Sequence, residues 1–157
     1  PGVGRAGGHG CHHLVDCVAG AHLMDDFLIL SAPQIDAMRA HVEKCLPEEG
    51  CGLLGGRGKV VKLVLPVTNR LHSAVRYDME PKELLQALMD FDARGLEMLA
   101  SFHSHPGGPA EPSETDIREF TYFGTYTLIW VIKNTGWSCS GFAIHDGIFR
   151  KIEICSH

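Results

Sequence analysis

The sequence has no run of like charge and no basic excess: 14 Lys and Arg stand against 19 Asp and Glu, a net charge of −5. That balance argues against a nucleic-acid partner, which calls for a cationic face. No apolar stretch approaches the roughly 20 residues needed to cross a bilayer, so no membrane partner is expected. Cysteines stand at 11, 17, 45, 51, 139 and 155, and no two form a Cys-x-x-Cys pair. Zinc knuckles and dithiol redox motifs are therefore not indicated. The N-terminal residues lack a clean apolar run before a small-residue cleavage site, because His12, His13 and Asp16 interrupt it. No secretory signal is read there, and reduced thiols in a cytoplasm are the expectation. No internal repeat or linker interrupts residues 24–157.

What remains is an ordinary globular composition, 157 residues with 45% hydrophobic and 21% charged. The length implies one domain with a core of useful size, as a monomer or homodimer. Residues 1–23 differ from the rest: they are Gly-rich, carry His9, His12, His13 and His22, and show almost no periodicity. They read as a weakly ordered extension ahead of a natural start at Met24. A second metal site from Cys11, His12, His13 and Cys17 is the sharper alternative, although that spacing matches no structural zinc pattern.

From Met24 a strand-like run, MDDFLIL, leads into a helix capped by Ser31 and stopped by Pro47. Ile35, Met38, Val42 and Cys45 recur at helical spacing and predict its buried stripe. The segment PEEGCGLLGG (47–56) predicts a short strand, and Lys59–Val67 a second one after a Gly turn. Pro81 opens a second helix that Gly95 closes, with Leu84, Leu85, Leu88 and Phe91 as its expected buried face. A strand from Leu96 follows, then a short helix capped by Ser113, then strands over 126–132, 137–145 and 148–154. The order α-β-β-α-β-α-β-β-β predicts an α+β fold, a mixed sheet flanked by helices.

Chemistry concentrates in Phe102–Asp116, FHSHPGGPAEPSETD. Residues two apart on a strand share a side, so His103 and His105 can face one metal while Ser104 points away. Pro and Gly then allow a sharp reversal, and Asp116 falls in the first turn of the next helix, where a carboxylate stays ionised. Two imidazoles and one carboxylate, with a fourth position left to water, are the ligand set of a catalytic zinc. Each part has a bland counterpart: a His-x-His on a strand, a Ser-x-x-Asp helix cap, a Pro/Gly loop. Their joint occurrence within so short a stretch, with a Glu-bearing Gly-rich segment upstream, favours the metal.

His-x-His, seven residues, Ser, two residues, Asp resembles the signature of the JAMM (MPN-plus, JAB-domain) zinc metalloproteases. Glu49-Gly50-Cys51-Gly52-Leu53-Leu54 resembles the upstream glutamate motif of the same family. Asn69, and Arg76-Tyr77 ahead of a helix, are similar to its compact prokaryotic members. The resemblance covers about Ile29 to Ile154 and implies a cytidine-deaminase-like MPN/JAMM fold binding one Zn2+ through His103, His105 and Asp116. It further implies Glu49 as general base toward a zinc-activated water and Ser113 as oxyanion donor. Glu48 is adjacent, and the family register selects Glu49. Cys51 then reads as core packing rather than a nucleophile.

The implied reaction is cleavage of a peptide or isopeptide bond after the tail of a ubiquitin-like β-grasp sulfur-carrier protein. A zinc peptidase of broader specificity is the alternative. A non-catalytic MPN scaffold ranks lower because the whole ligand set is present. A zinc deaminase would need a downstream Pro-Cys-x-x-Cys pair that is absent.

Overall fold

The computed structural model of the chain describes residues 26–157. The expected extension, the Met24 start and the alternative site at Cys11, His12, His13 and Cys17 lie outside them. In chain order the elements are β1 (Phe27–Leu30), α1 (Ala32–Cys45), β2 (Cys51–Arg57), β3 (Val60–Val67), α2 (Pro81–Ala93) and β4 (Glu97–His105). They continue with α3 (Glu114–Glu119), β5 (Tyr126–Lys133), β6 (Gly136–His145) and β7 (Ile148–Ser156). The α+β fold, a mixed sheet flanked by helices, is as the sequence predicts.

The sheet goes further and closes on itself in the order β1-β3-β2-β4-β5-β6-β7. Four-residue β1 is the closing piece: it runs parallel to β7 from Phe27↔Glu153 to Leu30↔Ser156 and meets β3 at Ile29↔Val60. Leu28 and Leu30 point into the barrel with Leu54, Phe102, Leu128, Trp130 and Ile152. Helix α1 adds Met38 and Val42 to the same core, with Ile35 packed beside them. Its first turn is held by Ser31 N–H, which donates to Gln34 Oε1 at 2.8 Å.

Helix α2 covers the outside of β2 and β3, over a second cluster of Cys51, Leu53, Val67, Met79, Ala87 and Phe91. Its buried face differs in part from the one expected. Ala87 and Phe91 are inside and Leu84 packs against them, whereas Leu85 and Leu88 are 60% and 37% exposed. Small Ala87 lets the helix approach closely, and the Phe91 ring fills the space above Gly55, where a Cβ would lie 2.4 Å from it. Leu84, Ala87 and Phe91 are as helical in spacing as the leucine stripe, so periodicity alone does not separate the two faces.

Two features of this frame position the site. β4 and β5 are parallel, and parallel neighbours need a long crossover. The crossover is residues 106–125, the Pro/Gly loop and α3, so the chain leaves β4 immediately after His105. On its other side β4 pairs antiparallel with β2, with Cys51 opposite His103 and Gly52 opposite Phe102. Gly52 is required there: an added Cβ would sit 2.5 Å from the Phe102 ring and 2.6 Å from Leu65 O. Gly52→Ala is therefore expected to cost about 1–3 kcal/mol by overpacking, read as a lower thermal midpoint. An unchanged midpoint would show that Phe102 yields without strain.

Candidate active site

β4 carries both histidines within its regular span. The two imidazoles share the outer face of the barrel, 1% and 6% exposed, while Phe102 points into the core. Ser104, between them, ties β4 to the residue ahead of β2. Its hydroxyl accepts the Gly50 N–H at 2.8 Å and its own N–H donates to Gly50 O at 3.0 Å. Glu49 is thereby brought beside the end of β4. Asp116 arrives from the crossover, held in a capping box: Ser113 N–H donates to its carboxylate at 2.7 Å, and Asp116 N–H donates to Ser113 Oγ at 3.0 Å.

Three donor side chains converge, with one ligand atom from each within 4.8 Å of the others. His103 Nε2 and His105 Nε2 are 3.0 Å apart. Asp116 Oδ1 lies 3.3 Å from the first and Asp116 Oδ2 3.2 Å from the second. His105 Nδ1 lies 2.8 Å from Pro109 O, a carbonyl that only accepts, so Nδ1 carries the hydrogen and the neutral ring presents a lone pair at Nε2. That lone pair faces a carboxylate oxygen. Acceptors held this close repel one another unless protons or a cation lie between them. Ligands about 2.0–2.2 Å from a tetrahedral ion stand about 3.3–3.5 Å from each other. The donor set and its spacing thus fit a zinc-sized ion, and His103, His105 and Asp116 are the group able to hold a metal among the described residues.

The electrostatics agree with that fit. Burial pushes His103 below its ordinary value, which favours the neutral imidazole a metal requires. Burial alone would raise Asp116, but hydrogen bonds from a protonated Nε2 on His103 or His105 and from Ser113 N–H outweigh it and hold the carboxyl below its usual range. For His105 burial acts downward, and the Asp116 contact and Pro109 carbonyl overcome it, so its net shift is upward. Glu49 is 5% exposed. Its carboxyl is raised to about 7, chiefly by burial and also by Asp116, against an opposing pull from His105.

Glu48 turns the other way, to the surface, where its carboxylate meets His72 Nδ1 at 3.2 Å. Cys51 is fully buried, its thiol donating to Val67 O at 3.3 Å, and burial pushes it up to about 12. Ser113 lines a cleft of about 160 Å³ beside the cluster, shared with Tyr77, Asp116 and Tyr122. Arg76 and Glu119 form an ion pair between the walls of that cleft.

Some neighbours of the site are not evident from motif spacing. Tyr77 stacks on His103 with ring centroids 4.4 Å apart at 26°. Asn69, 5% exposed, holds the loop that leads to Tyr77. In sequence both are marks of the compact form with no assigned chemistry. Residue type did offer a signal for Asn69: a polar amide directly after an apolar strand must satisfy itself locally.

A probable TtuB-protein conjugate cleaving protease of Thermus thermophilus is 39% identical over 126 residues, 78% of each chain. A desampylase of Pyrococcus furiosus is 37% identical over 86 residues, 55% of this chain and 59% of that one. A solution structure of a protein from Desulfitobacterium hafniense superposes with a TM-score of 0.76 at 34% identity, covering 84% of this chain and 93% of its own. Residues 31–140 match the family of prokaryotic homologs of the JAB domain, and with that match and the conjugate-cleaving relative, this chain belongs to the JAB-domain (JAMM/MPN) family.

Proposed function

We propose that this chain is a zinc-dependent hydrolase that cuts the peptide or isopeptide bond after the C-terminal tail of a ubiquitin-like sulfur-carrier protein. The observation that carries the reading is the convergence of His103 Nε2, His105 Nε2 and the Asp116 carboxylate at 3.0–3.3 Å, with buried Glu49 alongside. The relative named as a conjugate cleaving protease supports the substrate class. His103, His105 and Asp116 hold the ion. Zinc in such a site supplies a Lewis acid and brings the pKa of a water to about 7.

The chain's own residues do the rest. Glu49, held near 7 by burial, ionises more readily beside a cation. As a carboxylate it takes a proton from the attacking water and returns it to the amine nitrogen as the C–N bond breaks. The products are a carboxylate on the tail and a free amine. Ser113 Oγ accepts the Asp116 N–H, which leaves its hydroxyl hydrogen free to donate to the carbonyl oxygen as charge builds there. Tyr77 covers one face of His103 and limits that ring's freedom to rotate out of the cluster. The cleft beside Ser113, walled by Tyr77 and Tyr122, is where a narrow tail of small residues would lie.

Purified protein is expected to contain about one zinc per chain, and His103→Ala to lose it, by elemental analysis. Chelation should abolish hydrolysis and added zinc restore it; full activity in chelator would remove the metal from the reaction. Glu49→Gln is expected to lower kcat by about 100- to 10,000-fold with zinc retained, and Glu48→Gln to have little effect. The opposite ranking would place the base at Glu48. A carrier protein with a C-terminal extension, incubated with enzyme and followed by mass spectrometry, is expected to be cut at the tail boundary. Equal cleavage of the isolated tail peptide would favour a broader peptidase, and no zinc-dependent cleavage across a panel of carriers would overturn the substrate class.

A further inference from the structure

Asn69 lies outside the ligand and base motifs, yet every hydrogen-bonding position of its amide is used. Nδ2 donates to Glu49 O at 3.1 Å and to Arg76 O at 3.1 Å, with Ser73 O at 3.5 Å. Oδ1 accepts from Leu71 N–H at 3.2 Å and from Asp78 N–H at 3.1 Å. The loop 70–78 is thus wrapped around one buried side chain, while residues 70–72 and 74–76 of the loop itself are exposed. A carboxylamide has two hydrogens and two lone pairs to offer, which is what this arrangement consumes.

The loop in turn holds Glu49. That residue precedes β2 and lies outside its ladder. Its N–H donates to Ser73 O at 2.8 Å and its carbonyl accepts from Asn69. Both backbone polar groups of Glu49 are therefore satisfied by the loop that Asn69 organises. The same loop delivers Tyr77 onto His103. Few other side chains can substitute: aspartate keeps the acceptor and loses both donors, alanine and serine are too short, and glutamine is a methylene too long.

We infer that Asn69 is a positioning residue for the proposed base, locking Glu49 to the loop that carries Tyr77 so that its carboxylate stays at the metal cluster. The inference rests on the reading of Glu49 as base given above. Displacement of a reacting group by about 1 Å can cost about 100-fold, so loss of this lock is visible in kcat while the ligand set stays intact.

Asn69→Ala and Asn69→Asp are compared with wild type, each also combined with Glu49→Gln, on a tail-extended carrier. The single variants are expected to lower kcat by about 10- to 100-fold, with KM within about twofold and zinc content unchanged. In the Glu49→Gln background the same substitutions are expected to cause no further loss, because their effect passes through Glu49. An unchanged kcat, or an equal proportional loss in both backgrounds, overturns the inference. Asn69→Ala adds no charge, so its agreement with Asn69→Asp separates geometry from electrostatics. Asn69→Asp preserves size and the two acceptor contacts, and it decides the matter if the alanine variant does not fold. Metal-free protein gives an independent readout: the Glu49 amide should exchange its hydrogen at least about tenfold faster in Asn69→Asp, with β5 amides unchanged. An unaltered Glu49 amide would also overturn the inference. If Glu49→Gln alone leaves the rate intact, the assignment of the base has failed rather than the role of Asn69 in the fold.

Discussion

Pairing of β2 with β4 in the register Cys51↔His103 is the constraint on which the site depends. It sets Glu49 and Gly50 beside Ser104 and His105, and the two hydrogen bonds between Gly50 and Ser104 clamp the strand ends together. A slip of one residue would turn His103 and His105 into the core and Phe102 and Ser104 outward. The core itself resists that slip, because Phe102 fills the space over Gly52. Hydrophobic packing inside the barrel thus fixes the side on which the polar chemistry emerges.

The cluster built on that register needs protons or a cation between its members to be favourable. Two imidazole nitrogens and the oxygens of a carboxylate are held at 3.0–3.3 Å, and the surrounding structure restrains them. The restraints are visible one by one: the capping box on Asp116, the Pro109 carbonyl on His105 and the Tyr77 ring on His103. Buried His103 Nδ1 has no hydrogen-bond partner among the described residues, a further sign that the ring is placed for what its Nε2 does. Local strain of this kind is tolerated where the fold over-determines the geometry.

The elements were largely legible because their patterns are local. Alternation and apolar runs marked the strands, and Ser31 and Pro81 marked helix starts. The buried face of α2 was read only in part: Leu84 and Phe91 are inside as expected, but Leu85 and Leu88 form as good a helical stripe and Ala87 takes the place given to them. The choice between them depended on Gly55 in a distant strand. Closure of the sheet was also hidden, since the single run Phe27–Leu30 names neither of its two neighbours. The hydrogen bonds of Asn69 join residues that no spacing rule connects.

The sequence by itself determined the candidate ligand types and their local geometry: two imidazoles on one strand face and a carboxylate at a helix start follow from period-two alternation and capping. It also carried the family, through a composite motif that no single part would specify. Tertiary structure decided which of two adjacent glutamates is buried toward the cluster, which ring covers His103, and how the loop after β3 returns to Glu49. Those outcomes depend on long-range register and on the satisfaction of buried polar groups. Both are properties of the packed chain rather than of any window along it.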